Sequence, residues 1–210
     1  MKILVTAGAT REPIDSVRFL SNVSSGGTGA AIADVLASLG HQVFFLRGEG
    51  SALPKQTLPS EQFTSADSLR AHLAARLSAD AFDVVIMVAA VADYRPATPV
   101  PGKLPSDAPE MTLFLVRNPK ILPQVKSLSP TPLKVVGFKL TSGAGAAERA
   151  HAVREQFLHG HVDLVVQNDL EEIRREAVHP FRIYPSPTAE PERAEGTTAL
   201  AATLHRLLTA

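Results

Sequence analysis

Whatever chemistry this chain performs must come from a few clusters of small, polar or cationic residues. Ser21-Asn22-Val23-Ser24-Ser25-Gly26-Gly27-Thr28-Gly29 precedes a helical pattern. Small side chains let backbone N–H groups approach an anion, and a helix N-terminus adds partial positive charge, so Ser24, Ser25, Gly26 and Gly29 suit a phosphate. An ordinary flexible turn uses the same residue types. Further on, Ala89-Ala90-Val91-Ala92-Asp93-Tyr94-Arg95-Pro96 follows an apolar run, and Asp93 either accepts hydrogen bonds from a ribose or simply makes a turn. Lys103 is the only cation between Arg95 and Arg117 and, taken alone, reads as a solvated surface lysine. Phe138, in Gly137-Phe138-Lys139, offers a ring to stack on a base or to fill a core. Asn168-Asp169 closes a later apolar run. His151, His159 and His161 lie near one helix end, where they serve the helix dipole better than a metal, and no zinc site is expected.

These residues need elements to hold them. Lys2 to Thr6 reads as a strand, Thr28 to Leu39 as a helix stopped by Gly40, and Gln42 to Leu46 as a second strand. Ser65 caps a helix reaching about Leu77, and Asp83 to Ala89 is a continuous apolar run typical of a central parallel strand. Tyr94 to Pro109 holds five prolines and reads as a long loop or arm. Met111 to Val116 is expected to resume a strand, and Asn118-Pro119 to cap a helix running to about Leu128. Lys134 to Leu140 and Asp163 to Val166 read as strands, with a helix from Ala144 to Leu158 between them. Phe181 to Tyr184 suits an edge strand and Pro185 to Glu195 an exposed segment. From Thr197 a closing helix carries Leu200, Leu204 and Leu207 on one stripe. This alternation implies a Rossmann-like α/β domain, a doubly wound, mainly parallel sheet, filling residues 1–210 as one unit with 94–117 as an inserted arm.

Composition narrows the partners. Lys plus Arg equals Asp plus Glu at 21 each, so no global field draws polymeric nucleic acid, and an anion site must be local. The absence of cysteine removes disulfides, thiolate nucleophiles and Cys-bound metals. No apolar stretch is long enough for a bilayer, and no secretory pattern opens the chain, so a cytoplasmic protein without membrane contact is expected.

A dinucleotide oxidoreductase is one alternative. The glycines do not form a compact G-x-G-x-x-G, since Gly8 stands far ahead of the cluster at Gly26. Arg47, rather than an acidic residue, ends the second strand, where it would favour a 2′-phosphate as in NADP. A Tyr-x-x-x-Lys relay is missing, because Thr98 follows Tyr94 and Thr188 follows Tyr184 at that spacing. A non-catalytic nucleotide-binding protein is the other alternative.

Taken in order, Val5-Thr6-Ala7-Gly8-Ala9-Thr10-Arg11-Glu12-Pro13-Ile14-Asp15, Val17 to Gly26, Ala89 to Pro96, Lys103-Leu104, Val116-Arg117-Asn118-Pro119, Val136 to Leu140 and Asp163 to Leu170 resemble the phosphopantothenoylcysteine synthetases of coenzyme A biosynthesis. The likeness runs to about residue 185 and is most similar to the stand-alone bacterial form, without a fused flavin-containing decarboxylase and so without flavin. It implies a ligase joining 4′-phosphopantothenate to L-cysteine through an acyl-nucleotide, with CTP favoured over ATP and Mg²⁺ as cofactor. By the same resemblance Asn22 holds the acyl carbonyl and Lys103 is the catalytic cation. Asp93 binds ribose, and Met87, Val88, Ala89, Pro119, Lys120, Ile121, Leu122 and Phe138 surround the base and phosphates. The metal ligands are left unassigned. Two departures stand out: Pro105 and Ser106 replace lysines of the family's Lys-x-Lys-Lys stretch, and Gln156 and Gly160 stand where fused members carry two helix lysines. The family is typically a homodimer, which the 94–117 arm would serve.

Overall fold

A computed structural model describes residues 1–210. In chain order the elements are β1 (Lys2–Ala7), a hairpin of β2 (Arg11–Pro13) and β3 (Phe19–Ser21), α1 (Gly27–Ser38), β4 (Gln42–Gly48), β5 (Ser60–Phe63), α2 (Ala66–Ala79) and β6 (Val84–Met87). Then come β7 (Tyr94–Pro96), β8 (Leu115–Arg117), a 3-10 helix at Leu122–Leu128, β9 (Lys134–Thr141), α3 (Ala146–Gly160), β10 (Leu164–Asp169), α4 (Leu170–Arg175), β11 (Pro180–Tyr184), β12 (Glu192–Glu195) and α5 (Gly196–Thr209).

One eight-stranded sheet runs β12-β11-β10-β9-β6-β1-β4-β5. Its six strands from β10 to β5 are parallel, and β11 and β12 join antiparallel at one edge. Read by position in the chain, the parallel strands stand in the order 3-2-1-4-5-6, so the winding reverses between β1 and β6. Ligands of such open sheets bind at the carboxyl ends of the strands flanking that reversal. The doubly wound fold expected from the sequence is the one observed.

Each face has its own apolar layer. Ile3, Val5, Phe45, Val84 and Ile86 face α1 and α5 through Ile32, Leu36, Leu200 and Leu204, whereas Leu4, Leu46 and Val85 face α2, the 3-10 helix and α3. With both faces covered, β6 is buried at every residue, which is why Val84-Val85-Ile86-Met87 reads as unbroken apolar sequence. Ser65 caps α2, its hydroxyl accepting from Ser68 N at 3.2 Å. Ser65→Ala is therefore expected to cost about 1 kcal/mol, read as a fall in the denaturation midpoint; no change would show the cap to be idle.

Several expectations are corrected, among them the edge place of Phe181–Tyr184, since β12 lies outside β11. Met111 to Val116 does not form a strand of the main sheet; only Leu115–Arg117 is extended, paired with Tyr94–Pro96 as a two-stranded arm. Asn118 caps no helix, because its side chain is committed elsewhere: Nδ2 donates to Ala92 O at 2.9 Å and Oδ1 accepts from Arg95 at 2.7 Å. The helix after it starts at Leu122 and is 3-10. Glu192–Glu195, expected to be merely exposed, pairs with β11, and Ser60–Phe63 adds an edge strand beside β4. On α5, Leu208 rather than Leu207 completes the buried stripe.

Candidate active site

Gly8 ends β1 at φ 80°, the left-handed turn that favours glycine. The chain then leaves for the β2–β3 hairpin and returns so that Gly26, at φ 77°, packs on Gly8: a Cβ at residue 26 would lie 3.1 Å from Gly8 N and 2.8 Å from Ser51 Cβ. Three residues later, a Cβ on Gly29 would stand 2.6 Å from Ala7 Cβ, so α1 packs on β1 only because residue 29 is bare. Gly8, Gly26 and Gly29 thus fill the turn, approach and packing roles of a G-x-G-x-x-G fingerprint, with residues 9–25 inserted after its first glycine. The first turn of α1 has no capping side chain at its N-cap and no acidic residue, leaving positive potential for an anion.

Two adjoining cavities lie along the carboxyl ends of the strands. The smaller, of about 460 Å³, is lined by Ser24, Ser25, Gly26, Gly29, Val88, Ala89 and Phe138, together with Asn168 and His179. The larger, of about 670 Å³, is lined by Asn22, Met87, Ala89, Asp93, Pro119, Lys120, Ile121, Leu122 and Phe138. Val23, Ala89, Ala90 and Phe138 belong to both walls. The structure thus gathers every residue that the resemblance assigns to the site except Lys103, which is exposed and lines neither cavity. Its neighbours are fixed, however: Ser16 N donates to Gly102 O at 3.0 Å, Leu104 N donates to Asp15 Oδ2 at 3.0 Å, and Arg18 donates to Leu104 O at 2.9 Å. Lys103 therefore rides on the β2–β3 hairpin. Arg47 also lines neither cavity, so the 2′-phosphate it was weighed for has no seat beside it there.

The segment after β6 is held by groups that sequence reasoning left unused. Thr6 Oγ1 accepts from Ala89 N at 3.1 Å, Ala90 N donates to Gly8 O at 2.8 Å, and Thr10 Oγ1 accepts from Ala92 N at 3.0 Å. Asn22 Nδ2 donates to Val91 O at 3.1 Å, joining the hairpin's exit to the same segment. From the far side, Asn118 Nδ2 holds Ala92 O, and Asn118 N donates to Asp93 O at 2.9 Å. Asn22 and Asp93 are thereby placed on one braced strip, and the Asp93 carboxylate meets the Lys120 ammonium at the rim, both largely exposed. Thr6 closes the β-branched run that signals a strand and Thr10 lies past Gly8; the bonds they make reach some eighty residues away and leave no local mark.

The remaining walls come from β9, α3 and the β10–β11 connection. Lys139, Gln156 and Arg174 face the larger cavity. Lys120, Lys139 and Arg174 oppose the single carboxylate of Asp93 across both linings, a balance suited to an anionic ligand. Gly160 packs under the 3-10 helix: a Cβ there would lie 3.1 Å from Leu122 Cδ2, so a lysine at 160 would displace Leu122. His179 stacks on Phe181 with ring centroids 3.9 Å apart and meets Asn168 Nδ2 at 2.9 Å through Nε2. Burial holds its pKa below the usual histidine value, so the ring lining the smaller cavity is neutral at pH 7.

Comparison with known proteins agrees with this architecture. A family model for the DNA/pantothenate metabolism flavoprotein C-terminal domain matches residues 1–179. The coenzyme A biosynthesis bifunctional protein CoaBC of Thermococcus kodakarensis is 36% identical over 170 residues, 81% of this chain and 41% of that protein. CoaBC of Escherichia coli K12 is 35% identical over 182 residues, 82% of this chain and 42% of that one. The chain spans about two fifths of the length of these curated relatives. The crystal structure of the DNA/pantothenate metabolism flavoprotein from Streptococcus pneumoniae superposes with a TM-score of 0.88 at 26% identity, covering 100% of this chain and 98% of that one. No helix is long and apolar enough to cross a membrane. By residue match and fold, the chain belongs to the DNA/pantothenate metabolism flavoprotein C-terminal domain family.

Proposed function

We propose that this domain joins 4′-phosphopantothenate to L-cysteine through an acyl-nucleotide, with CTP the preferred triphosphate and ATP the lesser one. The observation that carries the reading is the pair of cavities sharing Ala89, Ala90 and Phe138, one ending on an anion-accepting helix, the other bearing Asn22 at its lip. The triphosphate lies along Ser24 to Gly29, the ribose meets Asp93, and the base enters the slot of Pro119 to Leu122 and Phe138. A carboxylate oxygen of phosphopantothenate attacks the α-phosphorus and pyrophosphate leaves. The cysteine amine then attacks the acyl carbon, and the nucleoside monophosphate departs as the amide nitrogen loses its proton. Each step gathers negative charge, which suits positioning and fixed donors better than covalent catalysis.

Asn22 is a neutral donor for the acyl oxygen. Lys103, whose neighbours Gly102 and Leu104 are pinned to the β2–β3 hairpin, supplies the cation when its side chain turns toward bound ligand. No group of three or more His, Cys, Asp or Glu side chains forms a cage for a metal. Mg²⁺ usually binds through one or two carboxylates plus substrate phosphates, and the Ser24, Ser25 and Thr28 hydroxyls beside the triphosphate seat would add oxygen ligands to those phosphates. Bound there, it would neutralise charge on the departing pyrophosphate.

The arm supports a homodimer: Phe114 is 82% exposed, with Met111, Leu115 and Val116 exposed beside it, an apolar surface that a second copy would cover. Pyrophosphate release that requires both 4′-phosphopantothenate and CTP or ATP is the expected result. None with either nucleotide would reject the reading.

A further inference from the structure

The two cavities meet along a seam whose walls belong to both: Val23, Ala89, Ala90, Phe138, Leu140 and Leu170. Every one of these side chains is apolar, while Ser24 and Thr28 line only the smaller cavity and Asp93 and Lys120 only the larger. The seam therefore offers no side-chain hydrogen bond. Its backbone is committed as well, since Ala89 N donates to Thr6 Oγ1 at 3.1 Å, Ala90 N donates to Gly8 O at 2.8 Å, and Ala90 O accepts from Thr10 N at 3.1 Å. Val23 is fully exposed and Leu140 is 54% exposed, so apolar surface stands bare at the mouth of the cavities instead of packing in the core. Val23 also follows Asn22 directly, which sets its Cα about 3.8 Å from that of the residue at the acyl carbon.

We propose that this seam selects the amino-acid substrate by its side chain, taking the CH₂–SH of L-cysteine and refusing the CH₂–OH of L-serine. The inference rests on the ligase reading, which sets the triphosphate in one cavity and the acyl carbon at the lip of the other. The incoming amine then arrives at the junction. A thiol is a weak donor that behaves as a small apolar group, whereas a hydroxyl carried into the seam loses its hydrogen bonds to water and finds no side chain to replace them. The two amino acids share the amine, the carboxylate and the chain length, so the choice between them acts at that one atom. Val23 and Leu140, bare until ligand covers them, are the specificity-determining residues.

The test compares kcat/KM for L-cysteine, L-serine and L-2-aminobutyrate, which carries a methyl group in place of the thiol, by quantifying the amide formed. Pyrophosphate released in a single turnover without amino acid reports the first half-reaction separately. Wild type is expected to favour cysteine over serine about 10²-fold and to use 2-aminobutyrate within about tenfold of cysteine. Val23→Thr, which keeps the shape and adds a hydroxyl, and Leu140→Asn should each cut the cysteine-to-serine ratio about fivefold or more, with the single-turnover release unchanged. Serine used within about threefold of cysteine, 2-aminobutyrate refused as strongly as serine, or a ratio unmoved in both variants would overturn the seam as selector and leave the ligase reading standing. No pyrophosphate and no amide with either CTP or ATP would reject that reading, and the inference with it.

Discussion

Asn22→Ala is expected to lower kcat for amide formation by about 10²- to 10³-fold, the usual effect of removing one donor from a developing oxyanion. The argument starts from where the side chain is held. Ser21 Oγ donates to Thr10 O at 2.8 Å, fixing the end of β3, and Asn22 Nδ2 spans to Val91 O at 3.1 Å. The amide has two N–H groups and one is engaged, so the second remains for an acyl oxygen. Asn22 is exposed and makes a single long-range bond, so the variant should lose only about 1 kcal/mol of stability. Asn22→Asp keeps the size but replaces a donor by a charge; it should impair turnover at least as much, since a carboxylate repels both the reacting carboxylate and the triphosphate. Rapid-quench measurement of the two half-reactions tells the cases apart: both steps should slow, because each passes through charge on oxygen near Asn22. Unchanged turnover in both variants would remove Asn22 from the site, even with the ligase intact.

The parts of this molecule legible in its sequence are those whose side chains report their surroundings directly. β6 is buried on both faces and looks it, and α1 carries its apolar residues at helical spacing. Edge strands do not report themselves: in Ser60–Phe63 only Phe63 is buried, in Glu192–Glu195 only Ala194, and backbone pairing alone makes them strands. The arm misleads in the opposite sense, since Met111 to Val116 has strand-like apolar content, yet only Leu115 and Val116 pair, and with the arm's other strand rather than the main sheet. At the site, Asn22, Asp93 and the Ser24 to Gly29 loop stand out as local motifs. The glycine fingerprint does not, because an inserted hairpin separates in sequence what Gly8 and Gly26 share in space. Gln156, Arg174 and His179 reach the cavities from helices and a connection on other parts of the chain, and nothing in their immediate neighbours marks them out.

Asp169→Asn is expected to cost about 2–4 kcal/mol at pH 7. Asp169 ends β10, is buried, and gathers four donors: Thr141 Oγ1 at 2.6 Å, Gly143 N at 2.9 Å, Ala144 N at 3.1 Å and Glu171 N at 3.0 Å. An asparagine would put an NH₂ where one carboxylate oxygen accepts, donor facing donor. The connection from β9 to α3 and the start of α4 would both loosen, and with them Leu170, Ile173 and Arg174 in the cavity walls. Acid provides an independent check. Burial alone would raise this carboxyl's pKa, but the bonds from Thr141, Gly143, Ala144 and Glu171 outweigh it and hold the pKa far below its ordinary value of 3.8. A depressed carboxyl contributes stability that is full above the unfolded pKa and declines as pH falls towards the folded one, so wild type should lose about 1 kcal/mol of its advantage between pH 7 and pH 3. Urea denaturation of both proteins at the two pH values measures this. The gap between wild type and Asp169→Asn should narrow in acid; a gap that stays constant, or is under about 0.5 kcal/mol at pH 7, would show that Asp169 is no anchor for these elements.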